Sequence, residues 1–182
     1  MPAPTITVLS TSPALASILG ATLRRGRNWR VREFRDSRSL SAYMRIAPVA
    51  ILVSDYTLES GTAADIAIAL RSDALVISRH VQIIALSKDV DLAMRQRCVQ
   101  SGIDEVIVKP MSPLYLEERI KARLKSVPRD HISCGPVYAG PERRERIVMD
   151  DTRPIPVERR IDGANVVSFL AHKARRDNEE RV

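Results

Sequence analysis

The fold is decided by a short run at residues 49–55, which reads VAILVSD. Its first five residues are all apolar, which is typical of a strand buried on both faces of a sheet. Further apolar runs of this kind lie at residues 6–9, 81–86 and 106–108. A fifth segment, residues 29–34, alternates apolar and polar side chains and predicts a half-exposed edge strand.

Helical patterns separate these predicted strands. Apolar side chains follow each strand at three- and four-residue spacing, and two helices are predicted to start at Ser12-Pro13 and Ser112-Pro113. Repeated strand–helix units over residues 5–125 require right-handed crossovers and therefore a parallel sheet with helices on both faces. We expect an α/β fold, a five-stranded doubly wound parallel sheet of the flavodoxin-like type with strand order 2-1-3-4-5.

The character of the sequence changes after this predicted domain, which we place at residues 1–125. Residues 126–163 are rich in proline and glycine and have little periodicity, so we predict a largely disordered linker. Residues 164–178 carry apolar side chains at helical spacing and predict a short amphipathic helix. This helix could dock on a partner, pack on the domain or have no role.

Composition excludes several classes of protein. With 182 residues, 45% hydrophobic and 28% charged, the chain is typical of one globular domain with an extension. Its apolar runs are far shorter than the ~20 residues that span a bilayer, and no signal peptide is evident. Two cysteines without C-x-x-C spacing indicate a reducing compartment, so we expect a cytoplasmic protein. The histidines, His80, His131 and His172, have no metal-ligand spacing and are expected at the surface.

The net charge of +7 is concentrated in arginines between Arg24 and Arg45. Arginine favours bidentate contacts with phosphate or carboxylate, so this cluster could bind nucleic acid or an acidic partner, or be a solvated basic face. No aromatic residues are interleaved for stacking on bases, and residues 126–182 are too short and proline-broken for a helix-turn-helix domain. Nucleic-acid binding is therefore an alternative function rather than the expected one.

Polar residues end four of the predicted strands. Ser10 and Thr11 follow the first, Asp55 ends the third, Ser87 the fourth and Lys109 the fifth. Because the carboxyl ends of parallel strands meet at one edge of a doubly wound sheet, these side chains are predicted to converge there. The sequence thus predicts one carboxylate flanked by hydroxyls and a cation.

Three motifs carry a resemblance to a known family. They are VAILVSDYTL at 49–58, IIALS at 83–87 and GIDEVIVKP at 102–110. Over residues 5–125 the chain resembles the CheY-like receiver domain of bacterial two-component response regulators. The resemblance implies a signalling module of a phosphorelay rather than an enzyme.

The resemblance also implies a role for individual residues. Asp55 would accept a phosphoryl group from a histidine kinase or phosphotransfer protein. Ser87 and Lys109 would sense that group, and Mg²⁺ would bind at Asp55 and Thr57. A partner would contact the side of the domain formed by the fourth and fifth strand–helix units, where the candidate contact residues are Asp91, Arg95, Tyr115, Glu118 and Lys121. This partner is expected to be a kinase, a phosphotransfer protein, another regulator or a second copy of the chain.

The sequence departs from the family pattern after the first strand. The acidic residues that hold Mg²⁺ in receivers are replaced by Ser10 and Thr11, and Val106 stands where an aromatic switch residue is usual. Because hard cations depend on the number of charged oxygen ligands, we expect only weak Mg²⁺ binding. We therefore expect an atypical, stand-alone receiver that acts by phosphorylation-independent contacts. In the alternative, Glu59 or a water shell completes the ion site and Asp55 is phosphorylated.

A further alternative concerns the hydroxyls of residues 10–12, which precede Pro13 at the start of a predicted helix. Such a helix N-terminus can hold a phosphate, as in the flavin-phosphate loop of flavodoxins. The loop has no glycine, and aromatic residues make up only 4% of the chain. A serine cap of the helix explains these hydroxyls better.

Overall fold

The computed structural model describes residues 3–25, 29–126, 130–134 and 138–142. Strands and helices alternate along most of this chain. In order they are β1 (Thr5–Leu9), α1 (Pro13–Arg24), β2 (Arg30–Phe34), α2 (Ser37–Ile46), β3 (Ile51–Asp55), β4 (Thr57–Leu58), β5 (Gly61–Thr62), α3 (Ala63–Ser72), β6 (Gln82–Ser87), α4 (Leu92–Gln100), β7 (Glu105–Val108), α5 (Pro113–Lys125), β8 (His131–Cys134) and β9 (Tyr138–Pro141).

Five of these strands form the central sheet, in the order β2-β1-β3-β6-β7. Every neighbouring pair is parallel, with Val53 at the centre opposite Val8 on one side and Ile84 on the other. These are the five strands expected from the sequence, in the expected 2-1-3-4-5 order. The predicted α/β fold is therefore confirmed.

The core consists of two apolar layers, one on each face of the sheet. Leu19 and Leu23 of α1 pack with Leu116 and Ile120 of α5 on one face. The other face is covered by apolar side chains of α2, α3 and α4, among them Leu40, Met44, Ala67, Leu70 and Cys98. Because every strand of the sheet interior is covered on both sides, its residues are continuously apolar.

Polar side chains fix where the helices begin. Ser12 and Ser112 cap α1 and α5 as predicted, and each hydroxyl accepts a hydrogen bond from a backbone N–H three residues on. Asp36, Thr62 and Asp91 cap α2, α3 and α4 in the same way. The helix starts are thus set by local hydrogen bonding as well as by apolar spacing.

Part of residues 126–163, the range predicted to be a largely disordered linker, forms regular structure. Within that range β8 and β9 form an antiparallel hairpin, with His131 opposite Pro141 and Ile132 opposite Gly140. A backbone hydrogen bond of 2.7 Å from the Glu142 N–H to the Asp130 carbonyl extends the pairing. Each strand has only four residues and one ends in Gly-Pro, so neither produces a recognisable strand pattern. Residues 143–163 and the helix predicted at 164–178 lie outside the described residues.

A second, smaller hairpin, which was not predicted from the sequence, follows β3. It pairs β4 with β5 and places Gly61 at a φ of 124°, a backbone conformation that favours glycine.

Within the described ranges, no helix is both long enough and apolar enough to cross a membrane.

Candidate functional site

The carboxyl edge of the sheet collects the polar side chains predicted to converge there. Asp55 is the last residue of β3 and is only 5% exposed. Ser10 follows β1 and is 1% exposed, and Lys109 follows β7. Each of these residues ends a strand of the central sheet or directly follows one, so their positions are set by the packing of the sheet.

Both carboxylate oxygens of Asp55 have a partner. The Lys109 ammonium donates to Oδ1 at 2.8 Å, and the Ser10 hydroxyl donates to Oδ2 at 2.5 Å. The Ser10 oxygen in turn accepts a 3.2 Å hydrogen bond from the Ser12 N–H at the start of α1. The sequence predicted that a cation and hydroxyls flank this carboxylate, and the structure shows that Ser10 supplies the hydroxyl that is hydrogen-bonded to it.

The cluster consists of one carboxylate, one ammonium group and one hydroxyl, and therefore does not carry the negative charge of several acidic residues. A buried carboxylate is stable only when it is paired and hydrogen-bonded, and Asp55 meets both conditions with side chains of the same chain. Lys109 supplies one full positive charge, and Ser10 supplies a hydroxyl rather than a second negative charge. The Asp55–Lys109 pair is therefore neutral as a unit.

Ser87 lies near this cluster but its hydroxyl is engaged elsewhere. It donates a 2.7 Å hydrogen bond to the Asp89 carbonyl in the loop after β6. The backbone of Ser87 does contact the site, because its carbonyl accepts a 2.7 Å hydrogen bond from the Lys109 N–H. Ser87 is thus brought to the correct edge, with its side chain held by its own loop.

An open cleft of about 690 Å³ is lined by Asp55. Its lining includes Thr11, Thr57, Ser87, Asp89 and Lys109. Thr57, a candidate metal ligand, is exposed at the start of β4, and Thr11 is partly buried. The structure therefore brings Asp55, Ser87 and Lys109 to one cleft, while the buried Ser10 contacts Asp55 without lining it.

The residues of the cleft fit a magnesium ion poorly. Each oxygen of Asp55 already accepts one hydrogen bond from a side chain, and the Asp91 carboxylate caps α4 by accepting a 2.7 Å hydrogen bond from the Met94 N–H. Glu59 is exposed in the turn between β4 and β5 and does not line the cleft. In the part of the chain that the structure describes, no group of three or more His, Cys, Asp or Glu side chains could hold a metal ion.

A contact between α3 and α4 beside the cleft was not predicted. Asp65 forms a capping box with Thr62 and a 2.8 Å ion pair with Arg97 of α4. The Thr62 hydroxyl, followed by the Arg97 guanidinium, lowers the pKa of Asp65. The S/T-x-x-D spacing at 62–65 signals the capping box, but nothing in the sequence identifies Arg97 as the partner.

The candidate partner-contact residues lie on α4 and α5, on either side of the edge strand β7. Asp91, Arg95, Tyr115 and Glu118 are exposed. Lys121 is partly buried, and its ammonium lies 2.6 Å from Glu117 Oε1. Four aliphatic side chains of the same elements are also exposed, namely Leu92 at 70%, Val99 at 47%, Val108 at 52% and Leu114 at 58%.

Comparison with known proteins agrees with this arrangement. Residues 6–121 match the family model of the response regulator receiver domain. The chain belongs to this family. As a receiver domain of two-component systems it functions in phosphorelay signalling, and such domains interact with histidine kinases and other regulators. Receiver domains typically bind Mg²⁺ at an acidic site.

Individual similar proteins cover different fractions of this chain. The DNA-binding response regulator MtrA of Mycolicibacterium smegmatis is 29% identical over 136 residues, which cover 72% of this chain and 57% of MtrA. The chain thus spans little more than half of that relative. The chemotaxis protein CheY4 of Vibrio cholerae superposes with a TM-score of 0.60 at 18% identity, over 65% of this chain and 97% of CheY4.

A third relative is the receiver domain of a histidine kinase from Syntrophus aciditrophicus. It has a TM-score of 0.60 at 20% identity and covers 74% of this chain and 99% of that domain.

The flavodoxin alternative finds no support in the structure. The Ser10 hydroxyl is bound to Asp55, and the Ser12 hydroxyl caps α1.

Proposed function

We propose that this receiver signals through protein contacts and that its output does not depend on Mg²⁺-assisted phosphorylation of Asp55. On this proposal the protein is not an enzyme, and it acts by binding. The observation that carries the proposal is the closed set of contacts around Asp55, in which Lys109 holds one carboxylate oxygen and Ser10 the other.

The electrostatic reason lies in what a divalent cation would find at this site. A group of several carboxylates attracts Mg²⁺ because the ion relieves their mutual repulsion. Here the charge of the carboxylate is already balanced by Lys109, and the Ser10 hydroxyl adds no negative charge that would attract a cation. Transfer of a phosphoryl group depends on neutralising its oxygens, so loss of the metal site removes much of the assistance to that reaction.

The position of Ser87 supports the same proposal. A hydroxyl that senses a phosphoryl group must be available to donate to it. In this chain the Ser87 hydroxyl already donates to the Asp89 carbonyl at 2.7 Å. The Ser87 hydroxyl would therefore have to break this hydrogen bond before it could donate to a phosphoryl group on Asp55.

The output surface that we propose is the exposed side formed by α4, β7 and α5. It combines the charged residues Asp91, Arg95 and Glu118 with exposed apolar side chains, a mixture typical of protein interfaces. Its partner would be a histidine kinase, a phosphotransfer protein, another regulator or a second copy of this chain.

The proposal is tested by intact mass spectrometry after incubation with acetyl phosphate and Mg²⁺. The wild-type chain is expected to remain unmodified. A Ser10→Asp/Thr11→Asp variant, which returns two carboxylates to the end of β1, is expected to gain one phosphoryl group, because the acids restore a metal site beside Asp55. The same variant carrying Asp55→Asn is expected to lose that adduct.

The acidic variant also shows that the assay can detect phosphorylation on this fold. Circular dichroism confirms that each variant is folded before its mass is measured. The proposal is wrong if the wild-type chain acquires an adduct that Asp55→Asn removes, because Asp55 would then accept the phosphoryl group without the acidic residues.

A further inference from the structure

Arginines line the edge of the sheet farthest from β7. We call this surface the arginine edge and define it by five exposed residues of α1, β2, α2 and their connections, namely Arg25, Arg30, Arg32, Arg35 and Arg38. β2 is the outermost strand of the sheet and pairs only with β1. In the described structure the arginine edge is therefore built on and around an edge strand of the sheet.

The acidic residues of this region do not neutralise the five arginines. Glu33 pairs with Arg24 at 2.6 Å, and Asp36 caps α2 by accepting two 2.8 Å hydrogen bonds from Ser39. Farther along α2, Arg45 pairs with Asp73 at 2.8 Å. Between the five arginines and the carboxylates of the described residues, no ion pair is found. Their charges are thus available to a ligand.

Strand geometry places two of these arginines in a row. Val31 packs in the apolar layer with α1, and the side chain of Glu33 reaches the same helix at Arg24. Arg30 and Arg32 therefore point to the opposite face, about 6.6 Å apart along the strand. Backbone N–H groups on the open side of β2 lie beside them and can donate to anionic oxygens.

The chemistry of this surface favours phosphate over a protein partner. Protein interfaces usually depend on buried apolar or aromatic anchors, whereas nucleic-acid interfaces are strongly positive and polar. Among the described residues of β2 and α2, the one exposed large apolar side chain is that of Ile46, at the C-terminal end of α2 and beyond the five arginines. Arginine also forms bidentate contacts with phosphate.

We infer that the arginine edge binds the phosphodiester backbone of nucleic acid without reading its sequence. This goes beyond the proposed signalling function, because the surface shares no residue with the Asp55 cleft or with the side formed by α4, β7 and α5. The sequence alone made nucleic acid only an alternative partner. The structure adds the exposed arginines on an edge strand and the engagement of the nearby acids elsewhere.

The test uses the full chain and a fluorescent DNA duplex of mixed sequence, with binding followed by anisotropy. If about four phosphates are neutralised, affinity is expected to fall roughly 150-fold between about 50 and 200 mM salt. An Arg30→Gln/Arg32→Gln variant is expected to bind at least ~10-fold more weakly at low salt and to have a shallower salt dependence.

The matched control is Arg95→Gln/Lys125→Gln, which removes the same charge from exposed positions on α4 and α5. It is expected to bind DNA within about twofold of wild type, because non-specific binding depends on local phosphate contacts. Equal loss in both variants would overturn the inference, since binding would then depend on net charge alone.

Two further outcomes would also overturn it. One is the absence of DNA binding by a folded chain at low salt, which would leave the arginines as charges that keep an open edge strand from pairing. The other is equally tight binding of labelled poly-glutamate, which would point to an acidic protein partner.

Discussion

The strands of the central sheet all run the same way, so the sheet has a carboxyl edge, where the strands end, and an amino edge, where they begin. Each of these two edges contains a buried or partly buried cation, but the contacts that stabilise the cation differ. At the carboxyl edge Lys109 is paired with the carboxylate of Asp55 at 2.8 Å. At the amino edge Arg71 is 8% exposed, and its guanidinium donates to the carbonyls of Val81 at 3.0 Å and Gly102 at 3.1 Å, as well as to that of Arg79. One edge is thus built on an ion pair and the other on a cation among carbonyl oxygens.

The amino edge also contains two histidines that lie in contact. The rings of His80 and His131 are 4.2 Å apart, beside a cavity of about 700 Å³ that the β8–β9 hairpin helps to line. Burial, followed by the charges of Arg71 and His80, lowers the pKa of His131 to about 4. Burial and Arg71 lower the pKa of His80 as well.

Because their contacts differ, the stabilities of the two edges are expected to respond to different substitutions and to different changes of pH. The carboxyl edge depends on keeping both members of one ion pair, so it is sensitive to loss of either charge. The amino edge depends on carbonyl contacts and neutral imidazoles, so it is sensitive to loss of Arg71 and to acid. The predictions below separate these two behaviours.

Removal of Arg71 is expected to have the largest effect. Arg71→Met keeps the apolar stem but leaves buried carbonyls without their donor, which should lower the free energy of unfolding by about 4 kcal/mol. Denaturant unfolding of Arg71→Met and of Arg79→Met, an exposed neighbour, measures the difference. The Arg79 variant should stay within about 0.5 kcal/mol of wild type. Equal stabilities for the two variants would contradict the role assigned to Arg71.

Removal of Lys109 is expected to have the next largest effect. Lys109→Met leaves the Asp55 carboxylate, 7% exposed, with Ser10 as its remaining side-chain partner. We expect a loss of about 3 kcal/mol, because an uncompensated charge stays buried. Adding Asp55→Asn to this variant should recover part of the loss, as measured by a double-mutant cycle in denaturant. A lysine that can be removed without cost would show that the ion pair does not stabilise the edge.

Acid is expected to have a smaller effect, confined to the hairpin. The pKa of His131 in the folded protein is about 4, below the ordinary 6.5. Between these two pH values His131 therefore binds a proton when the hairpin is open but not when it is folded. Stability is therefore complete above about pH 6.5 and falls as the pH drops toward 4, by about 1 kcal/mol after allowance for solvent. Hydrogen exchange of the β8–β9 amides at pH 7.5 and 5, corrected for intrinsic rates, measures this loss.

A His131→Gln variant is the control for this effect. Its exchange should show no pH dependence beyond the intrinsic rates, and the amides of β3 should respond to neither pH nor the substitution. Unchanged hairpin protection in wild type between these pH values would contradict the account of the amino edge.

Much of the fold could be predicted because local sequence and global topology agree. Continuous apolar runs such as 49–53 can be buried only in the interior of a covered sheet, and Ser12 and Ser112 set the starts of their helices through contacts three residues away. The convergence of Asp55 and Lys109 followed from strand ends that share one edge. Each of these features depends on short-range chemistry or on the parallel topology.

The features that sequence missed depend on long-range contacts. Nothing near Ser10 indicates that its hydroxyl donates to a residue 45 positions away, and the sequence gives no sign that Ser87 is held by its own loop. The contact of His131 with His80 requires the β8–β9 hairpin, whose strands are too short and glycine- and proline-containing to be recognised. Two of the three histidines that were expected to be scattered at the surface, His80 and His131, are therefore in contact through their rings.

The central claim is that Asp55 is already satisfied by Lys109 and Ser10, so that the site has little need of a divalent cation. Isothermal titration of the wild-type chain with Mg²⁺, beside the Ser10→Asp/Thr11→Asp variant, tests it most directly. We predict no measurable binding to wild type at millimolar Mg²⁺ and clear binding to the acidic variant. Saturable binding to the wild-type chain that is lost in Asp55→Asn would contradict the account.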